Sequence, residues 1–440
     1  MTTKPPDDND RAQRGDLNDD PLDGTEPVEG SMEPDPDVED LLSWKHSGRR
    51  RQYPYSTLRN AVTVFTHDPR WRGRLRRNLH AACFEVDDES ISDLAESNAA
   101  LWLDEVYGIV MSTRQVSEAM RVVANRQTFH PVRDYLGALE WDRVERLPTM
   151  LSRFWGVKPS ELVSEIARCW MVGCVARVMQ PGCQMDTTLI LAGEQGVGKS
   201  SSIRYGLVPS PGWFSDARID CSGKNKDTYA LISGIWIYEL AELEGMRRKQ
   251  VDEVKQFLSV TVDRYRPSYG RNPIVQPRQT VFVGTTNREV FLDDATGHRR
   301  FWPVTVGKRI DHKGIARWRD QLWAEAAARY ARKEQWHLKR SSEPLLKAHN
   351  EHFEAQDPLS ASVSAFVFAQ APGGSFSVSQ VLDHLKVPQE RRSRRDDNRI
   401  AAILKECGCI RDGRSSNKTG RMHLWKLPQP HLVFDGENTA

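Results

Sequence analysis

The sequence predicts a mixed α/β chain: a parallel-sheet domain over residues 155–345, preceded by a mostly helical region over 43–154 and followed by a small helix-plus-hairpin domain over 357–427. Two observations predict it. Three short runs, Thr187–Ala192, Ile235–Tyr238 and Thr280–Val283, are β-branched or aliphatic almost throughout, as parallel strands buried on both faces are. Helical patterns separate and flank them, the alternation that builds a parallel sheet with helices on its faces. The 440 residues suffice for two to four domains at roughly 100–200 residues each.

Taken in order, residues 1–42 are rich in Asp, Pro and Gly and are expected to be a disordered acidic tail. A capping box at Ser112 and Gln115 opens the clearest early helix, with Val116, Ala119, Met120 and Val123 on one face. A second helix spans Leu162 to Met179 and is ended by Pro181-Gly182. After the three strands, Ile315, Trp318, Leu322, Trp323 and Ala326 form an apolar stripe read as core packing. The last domain has helical patterns over Ala361–Ala369, Val378–Leu385 and Asn398–Glu406. Two strand-like segments follow, Cys409–Arg411 and Met422–Trp425, joined by a polar loop from Asp412 to Arg421. That is the outline of a winged helix, and residues 428–440 read as a tail.

Composition narrows the function classes. Residues 1–40 hold 14 Asp/Glu against 3 Lys/Arg, a net of −11, which leaves about +13 on the other 400. A basic body is the electrostatic footprint of a nucleic-acid binder, and an acidic tail either solvates the chain or competes for that surface. No apolar run is long enough for a membrane span, and the N-terminus MTTKPPDDND lacks a secretory pattern. The seven cysteines are scattered without metal-ligand spacing, which suits reduced thiols in a cytoplasmic protein.

The chemistry is concentrated after the first strand. Gly193-Glu194-Gln195-Gly196-Val197-Gly198-Lys199-Ser200, followed by Ser201, fits the Walker A pattern of a P-loop NTPase. Its glycines let backbone N–H groups wrap a phosphate at a helix N-terminus. Lys199 is expected to reach the β- and γ-phosphates of ATP and Ser200 to ligate Mg²⁺. A second strand should end in a carboxylate beside the phosphates. The run Gly234-Ile-Trp-Ile-Tyr-Glu239-Leu-Ala-Glu242 meets that demand, with Glu239 read as the magnesium-side carboxylate and Glu242 as the water-positioning base. The third strand runs TVFVGTTN to Asn287, whose amide is placed to hold the γ-phosphate and the lytic water. Arg299 and Arg300, in TGHRRFWP, are candidates for an arginine finger.

Taken together, GEQGVGKSS, IYELAELE, VDRYRPSYGR, VFVGTTN and TGHRRFWPV resemble the virulence-associated E family of phage and mobile-element ATPases, which is similar to superfamily-three helicases in its AAA+ core. FHPVRDYLGALEWD and PGCQMD fit the same family. The resemblance covers about residues 100–340 and implies a replicative ATPase or helicase-like protein assembled as a homo-oligomeric ring such as a hexamer. No acidic triad or zinc-ribbon spacing for primer synthesis accompanies it.

DNA contacts are expected in two places. Asp263-Arg264-Tyr265-Arg266-Pro267-Ser268-Tyr269-Gly270-Arg271 interleaves arginines with tyrosines, the combination that single-strand channels use. The resemblance places this interval on a hairpin in the ring pore, with Arg264 and Arg271 on DNA and Arg266 either there, at the nucleotide or at a subunit interface. In the last domain, Arg394, Arg395, Arg399, Arg414 and Lys418 form a basic recognition helix and wing for duplex DNA. The reading is an ATP-driven motor or remodeller in replication of a phage or mobile element. The alternative is an ATP-switched initiator that assembles on DNA without translocating.

Overall fold

The computed structural model describes residues 33–222, 225, 227–241, 248–266, 273–288, 298–354, 358–370, 374–417 and 420–427. The chain divides into two compact units, one ending at Phe353 and the other beginning at Glu354.

Folding starts earlier than the tail composition implied. In α1 (Pro36–Leu41) the Asp35 carboxylate accepts the N–H groups of Asp37 and Val38 at 3.0 and 3.2 Å. Val38 and Leu42 are 2% and 7% exposed, in a core with Val64, Phe65 and Trp102. The expected disordered tail is therefore corrected for residues 36–42. An average over forty polar residues hides two apolar side chains one helical turn apart, and their burial outweighs the composition.

Beyond it come β1 (Trp44–Ser47), β2 (Arg50–Pro54), α2 (Leu58–His67), β3 (Leu75–Asn78), β4 (Cys83–Val86), β5 (Glu89–Ser90), α3 (Asp93–Tyr107), α4 (Thr113–Ala124) and β6 (Thr128–Phe129). The capping box of α4 is present, Gln115 Oε1 accepting the Ser112 N–H at 3.2 Å. This region was expected to be mostly helical. It also holds a four-stranded sheet, ordered β5-β4-β3-β6, and a separate β1–β2 hairpin. These strands are two to five residues long, too short for a periodic signal in sequence.

The remainder of the first unit is α/β. Helices α5 (Pro131–Ala138), α6 (Met150–Trp155) and α7 (Glu161–Met179) lead into β7 (Thr188–Ala192). After α8 (Lys199–Ser201) and a π-type turn over Ser202–Leu207 follow β8 (Phe214–Ser215), α9 (Asp227–Ile232), β9 (Ile237–Leu240) and α10 (Arg248–Leu258). A hairpin of β10 (Val262–Tyr265) and β11 (Ile274–Pro277) precedes β12 (Val281–Thr286), β13 (Phe301–Thr305), α11 (His312–Ala331) and α12 (Glu343–Asn350).

Five strands pair in the order β13-β7-β12-β9-β8, every pair parallel. Alternation along each strand divides the apolar residues between two cores. Leu189, Leu191, Ile237 and Val283 join Trp170 of α7 and Trp323 of α11, whereas Ile190, Tyr238 and Phe282 join Val254 and Phe257 of α10. Two of the buried indoles are polar-satisfied: Trp323 Nε1 donates to Leu207 O at 2.8 Å and Trp236 Nε1 to Cys174 O at 3.0 Å. In the apolar stripe of α11, Ile315, Leu322, Trp323 and Ala326 are fully buried.

The second unit packs α13 (Ser360–Phe368), α14 (Val378–His384) and α15 (Arg394–Glu406) on a three-stranded antiparallel sheet. The sheet is ordered β14 (Ser375–Ser377), β16 (Gly420–Lys426), β15 (Ile410–Asn417). Its α15 begins four residues before the expected Asn398, because Ser393 and Asp396 form a capping box. The expected loop from Asp412 to Arg421 is mostly ladder instead. A register shift between Arg411 and Arg414, with Gly413 at φ +97°, lets pairing resume beyond the irregularity.

Candidate functional site

Parallel pairing brings the carboxyl ends of β7, β12 and β9 side by side. From β7 the chain turns through Gly193–Gly198 into α8. Gly196 and Gly198 have φ of +84° and +93°, the left-handed region that glycine tolerates. Space is restricted as well. A Cβ on Gly193 would stand 2.7 Å from Val306 Cγ2, and one on Gly198 would overlap the imidazole of His312. The chain returning from β13 thus lies against the loop.

Three polar side chains meet there. Lys199, 7% exposed, donates from Nζ to Gly193 O at 2.8 Å, Glu194 O at 2.9 Å and Asn287 Oδ1 at 3.0 Å. Asn287 is the first residue after β12, and the loop is tied to the same strand by Gly193 N–H donating to Thr286 O at 3.2 Å. The Ser200 and Thr285 hydroxyls each donate to Glu239 Oε1 at 2.6 Å. Glu239, 1% exposed, is the third residue of β9, two places further into the strand than its expected span allowed. Its Oε2 is buried with no hydrogen-bond partner. A buried carboxylate oxygen left unpaired is costly, and a cation beside it removes the cost. Oxygen donors of this type suit a hard divalent ion. No cluster of three or more His, Cys, Asp or Glu suited to a metal occurs among the described residues.

Around this centre Glu194, Gln195 and Gly196 are exposed, Val197 packs partly into the core, and the Ser201 hydroxyl donates to Gly198 O at 3.1 Å. Two participants were missed by sequence reasoning. Thr285 was legible as the strand residue alternating with Asn287, but His312 reaches the loop only through the return of the chain after β13, which leaves no local signal.

Arg299 and Arg300 stand elsewhere. They precede β13, whose Phe301 pairs with Thr188 and whose Thr305 pairs with Ala192. They are therefore at the opposite end of the sheet from the glycine loop of their own chain, roughly 15–20 Å away at about 3.3 Å per strand residue. Arg300 is engaged, with Nε 3.1 Å from Ser259 Oγ and 3.3 Å from Asp186. Arg299 is exposed.

On the β10–β11 hairpin Arg264 and Arg266 are exposed. The hairpin base is fixed by Asp263 and Arg278, a buried pair at 2.6 Å in which the guanidinium also lies 4.5 Å from the Phe257 ring centroid. In the second unit Arg394, Arg395 and Arg399 are exposed in the first half of α15, and Arg414 belongs to β15. Nearby Arg392 is used internally, donating to Val387 O and Ser379 Oγ. Glu242, Arg271 and Lys418 lie outside the described residues.

A family model described as the virulence-associated protein E-like domain matches residues 136–355, half of the chain. The chain belongs to this family. The VapE-like match includes all five parallel strands, the glycine loop, Glu239, Asn287 and both arginines. No curated protein matches. Solved structures similar to this chain include an A-form apo structure of the NrS-1 C-terminal region, at 9% identity and TM-score 0.43, covering 66% of this chain and 78% of that one. Two longer structures of the same region cover 81% and 80% of this chain and 96% of theirs. Both are 10% identical, with TM-scores of 0.43 and 0.46. No helix among the described residues of the VapE-like chain is long and apolar enough to cross a membrane.

Proposed function

We propose that the chain is an ATP-hydrolysing, DNA-binding motor or remodeller of helicase type, acting in replication of a phage or mobile element. The observation that carries the reading is the buried Glu239 carboxylate. It accepts the Ser200 hydroxyl through one oxygen and leaves the other unpaired. That is the donor set a Mg²⁺ ion riding on a nucleotide phosphate requires.

In this reading Gly193–Ser201 is a Walker A loop in a P-loop domain, its backbone N–H groups cradling phosphate. Lys199 neutralises the β- and γ-phosphates, and Asn287, already its neighbour at 3.0 Å, orients the attacking water. Ser200 and Glu239 hold Mg²⁺, which supplies charge neutralisation when bound, and Glu242 serves as base. The arginine finger comes from a neighbouring subunit, because Arg299 and Arg300 are at the far end of their own sheet. That makes a homo-oligomeric ring, such as a hexamer, a requirement of catalysis. Arg264, Arg266 and Arg271 face single-stranded DNA in its pore. The second unit acts as a winged helix on duplex DNA through Arg394, Arg395, Arg399, Arg414 and Lys418.

The test is a forked-duplex unwinding assay on the purified full chain. Strand displacement with ATP and none with a non-hydrolysable analogue is expected. ATP-dependent assembly on DNA without displacement would favour the switched initiator instead.

A further inference from the structure

The β1–β2 hairpin stands apart from the other sheets of the first unit. It is a two-stranded sheet paired with nothing else, and from Lys45 to Tyr53 every residue is exposed. Two strands alone are marginal in water, so the ribbon depends on its root. There Asn60, 1% exposed, accepts the Ser43 N–H at 3.0 Å through Oδ1. Its Nδ2 donates to both Ser43 O and Tyr55 O at 2.9 Å. The root is rigid and the tip stands in solvent.

The tip turns at Gly48, φ +60°, directly into Arg49, Arg50 and Arg51. Arg51 is shared with Asp40 at 3.0 Å and lies 5.4 Å from the Trp44 ring centroid. Arg49 and Arg50 form no ion pair among the described residues. Lys45 adds a fourth cation, its Nζ 2.6 Å from the Tyr53 hydroxyl. Tyr53 and Tyr55 expose 48% and 45% of their surface. Solvation alone explains arginines on a protruding strand, but it does not favour large aromatic surface left in water beside them.

We propose that this ribbon is a further binding surface for single-stranded DNA, with Arg49 and Arg50 on phosphates and Tyr53 and Tyr55 stacking on bases. It rests on the DNA-binding reading above and adds a contact outside the family-matched segment. The tyrosines select the single strand, since every unpaired base offers a face and the bases of a duplex do not.

The experiment is fluorescence anisotropy of the full chain with labelled oligothymidine and with a duplex of equal length, across a salt series. The variants are Arg49→Ala with Arg50→Ala, and Tyr53→Ala with Tyr55→Ala. Losing two phosphate contacts should weaken single-strand binding about tenfold and flatten the logarithmic salt slope by about 1.4. Losing the tyrosines should cost about fivefold or more per stacked base with the slope retained. Melting temperature and DNA-free ATPase should stay at the wild-type values, as the substituted side chains are exposed. Wild-type affinity and slope in both variants would overturn the ribbon assignment while leaving the DNA-binding reading standing. Equal losses on duplex would overturn the choice of single strand. A wild-type chain that binds neither oligonucleotide would overturn both readings.

Discussion

Ser200 and Glu239 are joined by a 2.6 Å hydrogen bond although the strand that leads to Ser200 and the strand that holds Glu239 are not neighbours: Ser200, in α8, follows β7 through the glycine loop, β12 lies between β7 and β9, and Thr285 of β12 donates to the same carboxylate oxygen. The intervening strand widens the gap between loop and carboxylate. The glutamate side chain, near the carboxyl end of β9, spans it. The other oxygen remains available for a cation and expensive to leave bare.

Glu239→Gln should therefore separate stability from activity. The amide keeps the shape, and its oxygen still accepts from Ser200 and Thr285, but a buried charge is gone. Melting temperature should be unchanged or higher, while Mg²⁺-dependent ATP hydrolysis falls by about 10² or more. Thermal melts and turnover measured on one preparation check it. A stable variant that hydrolyses ATP normally would remove the carboxylate from the mechanism.

Lys199→Ala should abolish ATP hydrolysis and leave a folded chain, because the ammonium donates to two loop carbonyls and the Asn287 amide at the carboxyl end of the sheet. A steady-state ATPase assay alongside circular dichroism reads both outcomes. Near-wild-type turnover would sink the Walker A assignment.

The central sheet was legible because Leu189, Ile190 and Leu191, or Phe282 and Val283, are apolar on both faces, which only a covered parallel strand explains. The glycine loop, Glu239 and Asn287 were legible for a related reason: each lies at or just past the carboxyl end of such a strand. What escaped was short or non-local. The strands of the N-terminal region are too brief to show a period, and β14 is three residues long. Val38 and Leu42 were lost in acidic surroundings. No pattern in one chain tells Arg299, exposed, from Arg300, held by Asp186, because that difference arises from how distant segments pack.

Asp68 carries a pH dependence. Burial works against its charge, yet hydrogen bonds from Arg70 and from the Tyr107 hydroxyl, the latter at 2.6 Å, outweigh burial and hold its carboxyl below the ordinary aspartate value of 3.8. A lowered folded-state value means the unfolded chain takes up the proton more readily. The stabilisation is complete well above pH 3.8 and is lost as pH falls through the lower folded-state value. Asp68→Asn should cost about 1–3 kcal/mol at pH 7. Urea titrations should find that difference shrinking below about pH 4. A cost independent of pH would mean that packing, and not charge, is what Asp68 provides.

Arg299 and Arg300 make opposite predictions. Arg300 is bound within its own chain by Asp186 and Ser259, so Arg300→Ala should lower stability by about 0.5–1.5 kcal/mol. Arg299 is exposed at the sheet end remote from its own glycine loop, so Arg299→Ala should leave the melting temperature unchanged. If Arg299 is the finger for a neighbour, its loss costs about 10³–10⁵ in turnover, the range known for P-loop enzymes. Wild-type hydrolysis per subunit should rise with protein concentration, since a lone chain has an incomplete site. Mixing Arg299→Ala with Lys199→Ala, each inactive alone, gives some interfaces with an intact loop from one chain and an intact arginine from the next. Activity should partly return in proportion to those interfaces. Co-assembly without recovery would remove Arg299 from catalysis in trans. The distance across the sheet already denies it a role in cis, so the ring would then lose its catalytic requirement.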